Sequence, residues 1–351
     1  MKIDIDKLRN CAKGLENSNI LVVGDLALDE MVYGDTERIS REAPVLILRH
    51  THTNLILGAA SNAAHNVSTI NKGKVGVVGI VGDDYQANDL RKAFNSANVD
   101  CSNLIIDKSR ATITKTRISG SCFQSITQQI VRIDRQSSEP ISTETELKII
   151  SKLEEIISKY DAVILSDYHI GTLTDNVIKT VIDICKRQNK KVIVDAQKNM
   201  ERYKGATSMT PNLPDTQKHV GFFIKDKADL LKAGIKLLND IDSEYVLITC
   251  GEEGMALVTN EHKMIRIPVF NKSKVFDVTG AGDTVTALYG LALASGSDPI
   301  YAAILGNIAA GIVIKQFGCA TTTIDELIEF IDENKKLLER IDIGEYDEKN
   351  I

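Results

Sequence analysis

The sequence predicts an α/β protein with a mainly parallel β-sheet, helices on both faces of that sheet, and a small separate β-sheet. Short apolar runs, such as 19–24 and 162–165, alternate with stretches of helical spacing, such as 176–187. Apolar strands that alternate with helices form parallel sheets covered on both faces. Two stretches, 31–57 and 111–134, contain β-like segments around polar turns and no helix between them. We expect these two stretches to form a lid that stands off the main body.

The composition excludes several classes of function. The formal net charge is −6 and no run of lysine or arginine stands out, so we expect no nucleic-acid partner. No apolar stretch approaches the roughly 18 residues that a membrane helix needs, and the polar first 19 residues do not resemble a targeting signal. The six cysteines show no CxxC spacing, and the six histidines show no metal-ligand spacing. We therefore expect a cytoplasmic protein with reduced thiols, no membrane partner and no histidine–cysteine metal site.

Each predicted element follows from its local pattern along the chain. A short apolar run that ends in glycine or a polar residue indicates a buried strand, and apolar residues at spacings of three and four indicate a helix. The predicted strands are 19–24, 74–81, 104–106, 162–165, 192–194, 208–210 and 245–249, followed by a hairpin of 255–259 and 263–269. The predicted helices are 85–95, 143–159, 176–187, 228–239, 285–295, 299–316 and 324–339, with a further helix that opens at 58–66.

Polar residues follow several predicted strands at their carboxyl ends. They are Asp29, Asp167, Asp195, Asn212, Thr249 and Asp277. Ligands of open parallel sheets bind outside this edge, and a purely structural sheet needs no polar edge on one side only. Asp25 and Asp29 could accept hydrogen bonds from several hydroxyl groups, as a sugar would require, although capping of a helix or turn is the alternative. These strand ends form the predicted active site.

The helix that opens at 58–66 consists of very small residues. Gly58 and the alanines after it permit a ligand to approach the backbone closely. Asn62 and Asn66 lie on one face at helical spacing. Packing against a sheet explains the alanines equally well, but it explains Asn62 less readily.

The stretch 277–284 reads Asp-Val-Thr-Gly-Ala-Gly-Asp-Thr. Residues 274–276 indicate the end of a strand and 285–295 continue as a helix, so the glycines lie where a loop becomes a first helical turn. Free N–H groups at a helix N-terminus attract anions. Asp283 would face a bound phosphate and could act as the general base for an attacking hydroxyl. The alternative is a glycine pair without function, with Asp283 stabilising the helix dipole.

Together these stretches resemble the ribokinase-like (PfkB) sugar kinases. The resemblance runs in the right order from residue 20 to residue 328, and it is carried by 24–29, 58–62, 249–254 and 277–283. Within that family the chain is most similar to the kinases of D-glycero-β-D-manno-heptose 7-phosphate, which act in ADP-heptose biosynthesis. The stretches that carry this closer resemblance are 38–45, 111–117, 165–168, 201–207, 210–213 and 275–284.

The resemblance implies the architecture and the reaction. The fold would be a ribokinase-like three-layer α/β/α sandwich, one kinase domain over residues 1–351, with no fused nucleotidyltransferase domain. ATP and Mg²⁺ would be the cofactors, with K⁺ as a further candidate, and the lid would form a homodimer. The γ-phosphoryl group of ATP would pass to the anomeric hydroxyl of the heptose phosphate.

The resemblance also implies a role for each site residue. Asp283 would be the base, and the N–H groups of Gly280, Ala281 and Gly282 would stabilise the transferred phosphoryl group. The nucleotide would bind Asn212, Thr249, Gly251, Gly254 and Asn307. Asp215 would act indirectly on Mg²⁺, and Asp277 and Thr279 would border a monovalent cation. The sugar would bind Asp29, Gly58, Asn62 and Asp167. Its phosphate would bind Lys115 and Arg117, since that charge needs cations close by.

Several residues depart from the family pattern. Leu57 stands at an expected glycine, Asp215 at an expected glutamate, Gln197 at an expected lysine, and Ile170 where those kinases carry a lysine before a glycine. The segment 120–127 is also longer than expected. These departures leave two alternatives open: a ribokinase-like kinase for a different sugar or nucleoside, and a catalytically silent protein that binds a sugar or nucleotide. A dehydrogenase is disfavoured because no Gly-x-Gly-x-x-Gly turn follows Gly24.

Overall fold

The computed structural model describes residues 2–121, 127–137, 139–270, 277–316, 318–340 and 343–347. The described strands are β1 (Ile20–Gly24), β2 (Leu26–Ile39), β3 (Leu46–Ala59), β4 (Val75–Val78), β5 (Ile80–Val81), β6 (Ile105–Ile106), β7 (Ile113–Ser121), β8 (Gln128–Arg135), β9 (Ala162–Asp167), β10 (Lys191–Ala196), β11 (Ser208–Met209), β12 (Tyr245–Thr249), β13 (Met255–Thr259), β14 (Met264–Ile267) and β15 (Gly344–Tyr346).

The described α-helices include some that the sequence pattern predicts with other boundaries or does not predict. The helices are α1 (Ile5–Gly14), α2 (Ala60–Asn71), α3 (Tyr85–Ser96), α4 (Thr143–Ile156), α5 (Asp175–Arg187), α6 (Leu213–Val220), α7 (Lys227–Ile241), α8 (Ala281–Ala294), α9 (Pro299–Val313), α10 (Ile324–Glu333) and α11 (Lys335–Arg340). The sequence pattern did not predict α1 or α6, and it predicted α10 and α11 as one helix. None of the helices in the described residues has the length and apolar character to cross a membrane.

The main sheet contains nine of the described strands in the order β15-β14-β13-β12-β11-β10-β9-β1-β4. Strands β4, β1 and β9 to β12 run parallel, whereas β13, β14 and β15 are antiparallel additions at one edge. Successive side chains of β1 point alternately to two hydrophobic clusters, one on each face of the main sheet. Ile20 and Val22 pack with α1–α3 and α8–α11, while Leu21 and Val23 pack with α4–α7. Helices therefore cover both faces, which confirms the predicted three-layer α/β/α fold.

A separate four-stranded sheet in the order β3-β2-β7-β8 forms the predicted lid. Its strands are longer than the sequence pattern indicates, since β3 is a single strand of 14 residues. Residues 49–54 are polar and exposed, so this part of β3 lacks the apolar alternation by which strands are recognised. β2 begins at Leu26, so Asp29 belongs to a lid strand rather than to a loop after β1.

Ala59 has a backbone conformation that favours glycine. Leu57 is a buried residue of β3. Ala59, which precedes α2, adopts φ 51° and ψ −134°, a backbone region that residues with a Cβ rarely occupy. Ala59 therefore carries backbone strain, whereas the departure inferred from the sequence at Leu57 stays a prediction.

We expect Ala59→Gly to raise the free energy of unfolding by about 1 kcal/mol. The strain it removes is worth about 1–3 kcal/mol, and the added freedom of the unfolded chain offsets about 0.5–1 kcal/mol. Urea denaturation measures the difference. The matched control is Ala60→Gly, which should destabilise the protein by up to about 1 kcal/mol because Ala60 lies in α2. A loss of stability in Ala59→Gly would contradict the strain.

Candidate active site

The site lies where the lid meets the carboxyl ends of β1, β9 and β10 and the beginning of α8. Gly280 caps α8 with φ 79°, and a Cβ at this position would lie 2.7 Å from Asn62 Nδ2. Glycine is required there both for the left-handed backbone and for the close approach of α2. The N–H of Ala281 donates to the carbonyl of Val278 at 3.2 Å, so the anion-binding role predicted for Ala281 stays a prediction that requires this contact to open.

The buried carboxylate of Asp283 connects three parts of the fold. Asn62 Nδ2 on α2 donates to Asp283 Oδ2 at 2.7 Å. The hydroxyl of Tyr168, just after β9, donates to Asp283 Oδ1 at 3.0 Å. Thr284 Oγ1 donates to Asn66 Oδ1 at 2.9 Å and thereby adds a second contact between α8 and α2. The structure thus brings the predicted Asn62 and Asp283 together. Tyr168 had no predicted role, because only its polar neighbour Asp167 was noted at that strand end.

Burial raises the pKa of Asp283 to about 6, although the hydrogen bonds from Asn62 and Tyr168 and the charge of Lys115 oppose this rise. Burial likewise raises the pKa of Asp195, at the end of β10, to about 7, with further contributions from Asp283 and Asp215. A carboxyl group that titrates close to neutral pH suits general base catalysis.

We expect activity to fall as the pH drops through about 6, because the protonated form of Asp283 cannot accept a proton. Initial rates of kcat/KM between about pH 5 and 8 measure this acid limb. Asp195 titrates in the same pH range, so the apparent pKa values of the pH profile belong to the pair of Asp283 and Asp195. Asp195→Asn removes a negative neighbour and should therefore move the limb to lower pH. A pH-independent rate would contradict Asp283 as the base.

The residues predicted to bind a sugar include Asp29, which lies on β2 beside Arg117. Its Oδ2 lies 3.1 Å from Arg117 Nη1, whereas its buried Oδ1 has no hydrogen-bond partner. A Cβ at Gly58 would lie 3.0 Å from the Asp29 carboxyl group, so the glycine makes room for that group. Buried carboxylate oxygens are normally paired, and the unpaired Oδ1 therefore indicates a ligand hydroxyl. Arg117 keeps further N–H donors for a substrate anion.

Asp167 lies at the same sheet edge but is engaged by the protein. Its Oδ1 accepts the N–H of His169 at 2.7 Å. Its Oδ2 accepts the hydroxyl of Tyr203 and lies 3.4 Å from Arg202 Nη1. Both oxygens are thus already hydrogen-bonded, and this placement does not support the sugar-binding role predicted for Asp167. The sugar-binding role of Asp167 stays a prediction.

The residues predicted to bind the nucleotide are connected by a series of contacts. Asn212 and Thr249 are paired as a parallel β-bridge. Cys250 N donates to the Gly254 carbonyl at 2.8 Å, which closes the turn that contains Gly251. A Cβ at Gly254 would lie 2.9 Å from the Pro268 backbone, and Asn307 Nδ2 donates to the Pro268 carbonyl at 3.1 Å. These contacts run in the order Asn212, Thr249, Gly251, Gly254, Pro268 and Asn307.

The acidic residues predicted to act on cations lie at two places. Asp215, whose charge acts on Asp195, follows the Asn212 cap of α6 and pairs with Lys218 at 3.2 Å. Mg²⁺ is usually held by one or two carboxylates, several waters and substrate phosphates, and the carboxylates of Asp215 and Asp195 fit such an indirect site. In the part of the chain described here, no group of three or more His, Cys, Asp or Glu side chains is arranged to hold a metal ion.

Asp277 joins two loops beside the start of α8. Its Oδ1 accepts the N–H of Thr279 at 2.9 Å, and its Oδ2 accepts the N–H of Gly318 at 3.0 Å. These contacts hold Asp277 and Thr279 together, as a shared cation site would require. The strand end predicted at 274–276 lies outside the described residues.

The family model described as "pfkB family carbohydrate kinase" matches residues 17–326. Two curated relatives, both named "Bifunctional protein HldE", come from a Nitratiruptor species and from Geobacter metallireducens. The first is 40% identical over 89% of this chain and 64% of its own length, and the second is 41% identical over 88% and 62%. The chain therefore spans just under two thirds of the length of these relatives.

Solved structures share the fold at low sequence identity. A putative sugar kinase from Clostridium perfringens is 17% identical with a TM-score of 0.73, covering 94% of this chain and 99% of the other. Phosphofructokinase-2 from Escherichia coli, solved with substrates and products, is 15% identical with a TM-score of 0.71, covering 90% and 99%. At this level of identity the likeness concerns the fold alone.

Proposed function

Because the chain belongs to the pfkB family of carbohydrate kinases, we propose that it transfers the γ-phosphoryl group of ATP to the anomeric hydroxyl of D-glycero-β-D-manno-heptose 7-phosphate. The observation that carries the proposal is the buried Asp283, held between Asn62 and Tyr168 at the N-terminus of α8. The relatives named "Bifunctional protein HldE" support the heptose substrate.

In the proposed mechanism, the unpaired Oδ1 of Asp29 accepts a hydrogen bond from a sugar hydroxyl and orients the ring. Asp283 accepts the proton of the attacking hydroxyl as the new O–P bond forms and the bond to ADP breaks. The backbone N–H groups of Gly280 and Gly282 stabilise the charge on the transferred group. Mg²⁺, when bound with ATP near Asp215, would neutralise phosphate charge, and K⁺ would lie beside Asp277 and Thr279.

Two lid cations support a substrate that carries a phosphate of its own. Lys115 and Arg117 lie two residues apart on β7, so both side chains point to the same face of the lid. Arg117 contacts Asp29, and the charge of Lys115 acts on Asp283. Two positive charges beside the proposed sugar site would suit a substrate anion.

The test is ADP release with ATP, Mg²⁺ and heptose 7-phosphate, fructose 6-phosphate, ribose, fructose or adenosine. We expect selective turnover of heptose 7-phosphate. In Lys115→Met, the KM for this substrate should rise by about 10-fold or more, while the KM for ATP stays unchanged. Lys108→Met is the matched control, since Lys108 is exposed and pairs with Asp83 on the surface.

Other outcomes of this panel distinguish the alternatives. Equal or better turnover of an unphosphorylated sugar, with Lys115 dispensable, would favour a kinase for a different sugar or nucleoside. Tight sugar binding without ADP release would favour the silent binding protein. Either outcome would overturn the heptose assignment.

We also propose a homodimer through the lid in the cytoplasm, where ATP is available. The lid carries exposed large apolar side chains that would be covered by a second copy: Ile39, Leu46, Ile130, Val131 and Ile133. Sedimentation of Val131→Glu should show a monomer where the wild type is a dimer. Leu147→Glu on α4 is the control, because Leu147 is also exposed but lies off the lid. A monomeric wild type would refute the dimer.

A further inference from the structure

Tyr168 contacts two functional groups that come from different parts of the fold. Its hydroxyl donates to Asp283 Oδ1 at 3.0 Å. The ammonium group of Lys115, on the lid, lies 5.4 Å from the centroid of the Tyr168 ring, within the range of a cation–π interaction. One side chain thus touches both the proposed base and the proposed phosphate-binding cation.

A single buried carboxylate fixes the loop from which Tyr168 projects. Asp25 Oδ2 accepts the N–H of Tyr168 at 3.0 Å and that of Ile170 at 2.9 Å. Asp25 Oδ1 accepts the N–H of Thr172 at 3.0 Å. Three hydrogen bonds to one charged group hold these backbone positions in place. Tyr168 is therefore oriented by the protein itself, independently of a substrate.

We propose that Tyr168 is a positioning residue that orients Asp283 through its hydroxyl and Lys115 through its ring. This inference rests on the proposed function. Asn62 and Tyr168 each donate to a different oxygen of Asp283, so the plane of the carboxylate is fixed while lone pairs remain for the sugar proton. The two tasks use different atoms of Tyr168 and can be separated by substitution.

Tyr168→Phe removes the hydroxyl and keeps the ring. Because hydrogen bonds to a charged group favour its charged form, we expect the pKa of Asp283 to rise by about one unit. The other groups that face Asp283 remain: Asn62, Lys115, Asp29, Asp195 and Cys319. At pH near 7, kcat should fall about 10- to 100-fold, mainly because the carboxylate loses the contact that orients it toward the attacking hydroxyl, while the KM for the sugar phosphate stays unchanged.

Tyr168→Leu removes the ring as well as the hydroxyl. Beyond the effects of Tyr168→Phe, the KM for the sugar phosphate should rise by about 3- to 30-fold, because Lys115 loses its cation–π contact. Tyr289→Phe is the control, since Tyr289 is a buried tyrosine on α8 whose hydroxyl contacts Ser208 at 3.0 Å. Its kcat and the acid limb of its pH profile should match the wild type.

A titration without substrate separates this inference from the proposed function. Carboxyl ¹³C NMR follows the pKa of Asp283 in the wild type, Tyr168→Phe and Tyr289→Phe. A higher pKa in Tyr168→Phe alone would support the positioning of Asp283 even if no sugar in the panel were phosphorylated. An unchanged pKa, or equal KM values in Tyr168→Phe and Tyr168→Leu, would overturn the proposal.

Discussion

Asp283→Asn is expected to lower kcat by about 10²- to 10⁴-fold, because the amide cannot accept the proton of the attacking hydroxyl. The amide has nearly the shape of the carboxylate. Its oxygen can accept the N–H of Asn62, and its NH₂ group can donate to the hydroxyl oxygen of Tyr168, so the contacts of Asp283 are kept. Turnover and the dissociation constant of ATP are the two measurements.

Binding of ATP should stay near normal in Asp283→Asn, because the residues predicted to bind the nucleotide include Asn212, Thr249 and Asn307 and do not include Asp283. Asp107→Asn is the control for loss of a buried carboxylate elsewhere, since Asp107 contacts Ser109 and Thr145. Near-full activity of Asp283→Asn would refute the assignment of the base. An equal loss in Asp107→Asn would show that the effect is on folding.

Asp29→Asn is expected to lower kcat/KM for the sugar by about 10- to 100-fold. The substitution removes a charged acceptor from a sugar hydroxyl and leaves the guanidinium of Arg117 without its carboxylate. A hydrogen bond to a charged group is worth about 1.5–3 kcal/mol, and a site built to pair with a hydroxyl discriminates strongly when one partner is lost. Steady-state kinetics with the sugar varied at saturating ATP measure the effect.

Asp35→Asn provides a matched control on the same strand. Asp35 also lies on β2 and pairs with an arginine, Arg49, at 3.6 Å, but both side chains are exposed. Exposed ion pairs contribute little, so kinetics should be unchanged. If Asp29→Asn altered the KM of ATP and left that of the sugar intact, the sugar-side assignment of Asp29 would be wrong.

Local sequence patterns were enough to predict the fold class and to name several residues of the candidate site. Apolar runs that alternate with helical spacing are local patterns, and they predicted the main sheet, its helices and the separate lid. The turn at Gly280 and the position of Asp283 were also local, because a left-handed glycine before a small-residue helix leaves a clear signal. The polar residues at strand ends followed from the rule that parallel strands end at one edge.

The contacts among these residues depend on how distant segments pack in the folded chain. Tyr168 and Asp283 lie 115 positions apart, and Asn62 and Asp283 lie 221 apart. Their contacts depend on the order of strands and on the packing of α2 against α8. Asp29 and Lys115 are register partners between β2 and β7, which places Arg117 diagonally opposite Asp29. Local spacing carries no information on register between strands so distant in the chain, so the ion pair could not be predicted. For the same reason, the engagement of Asp167 with Tyr203 could be found only in the folded protein.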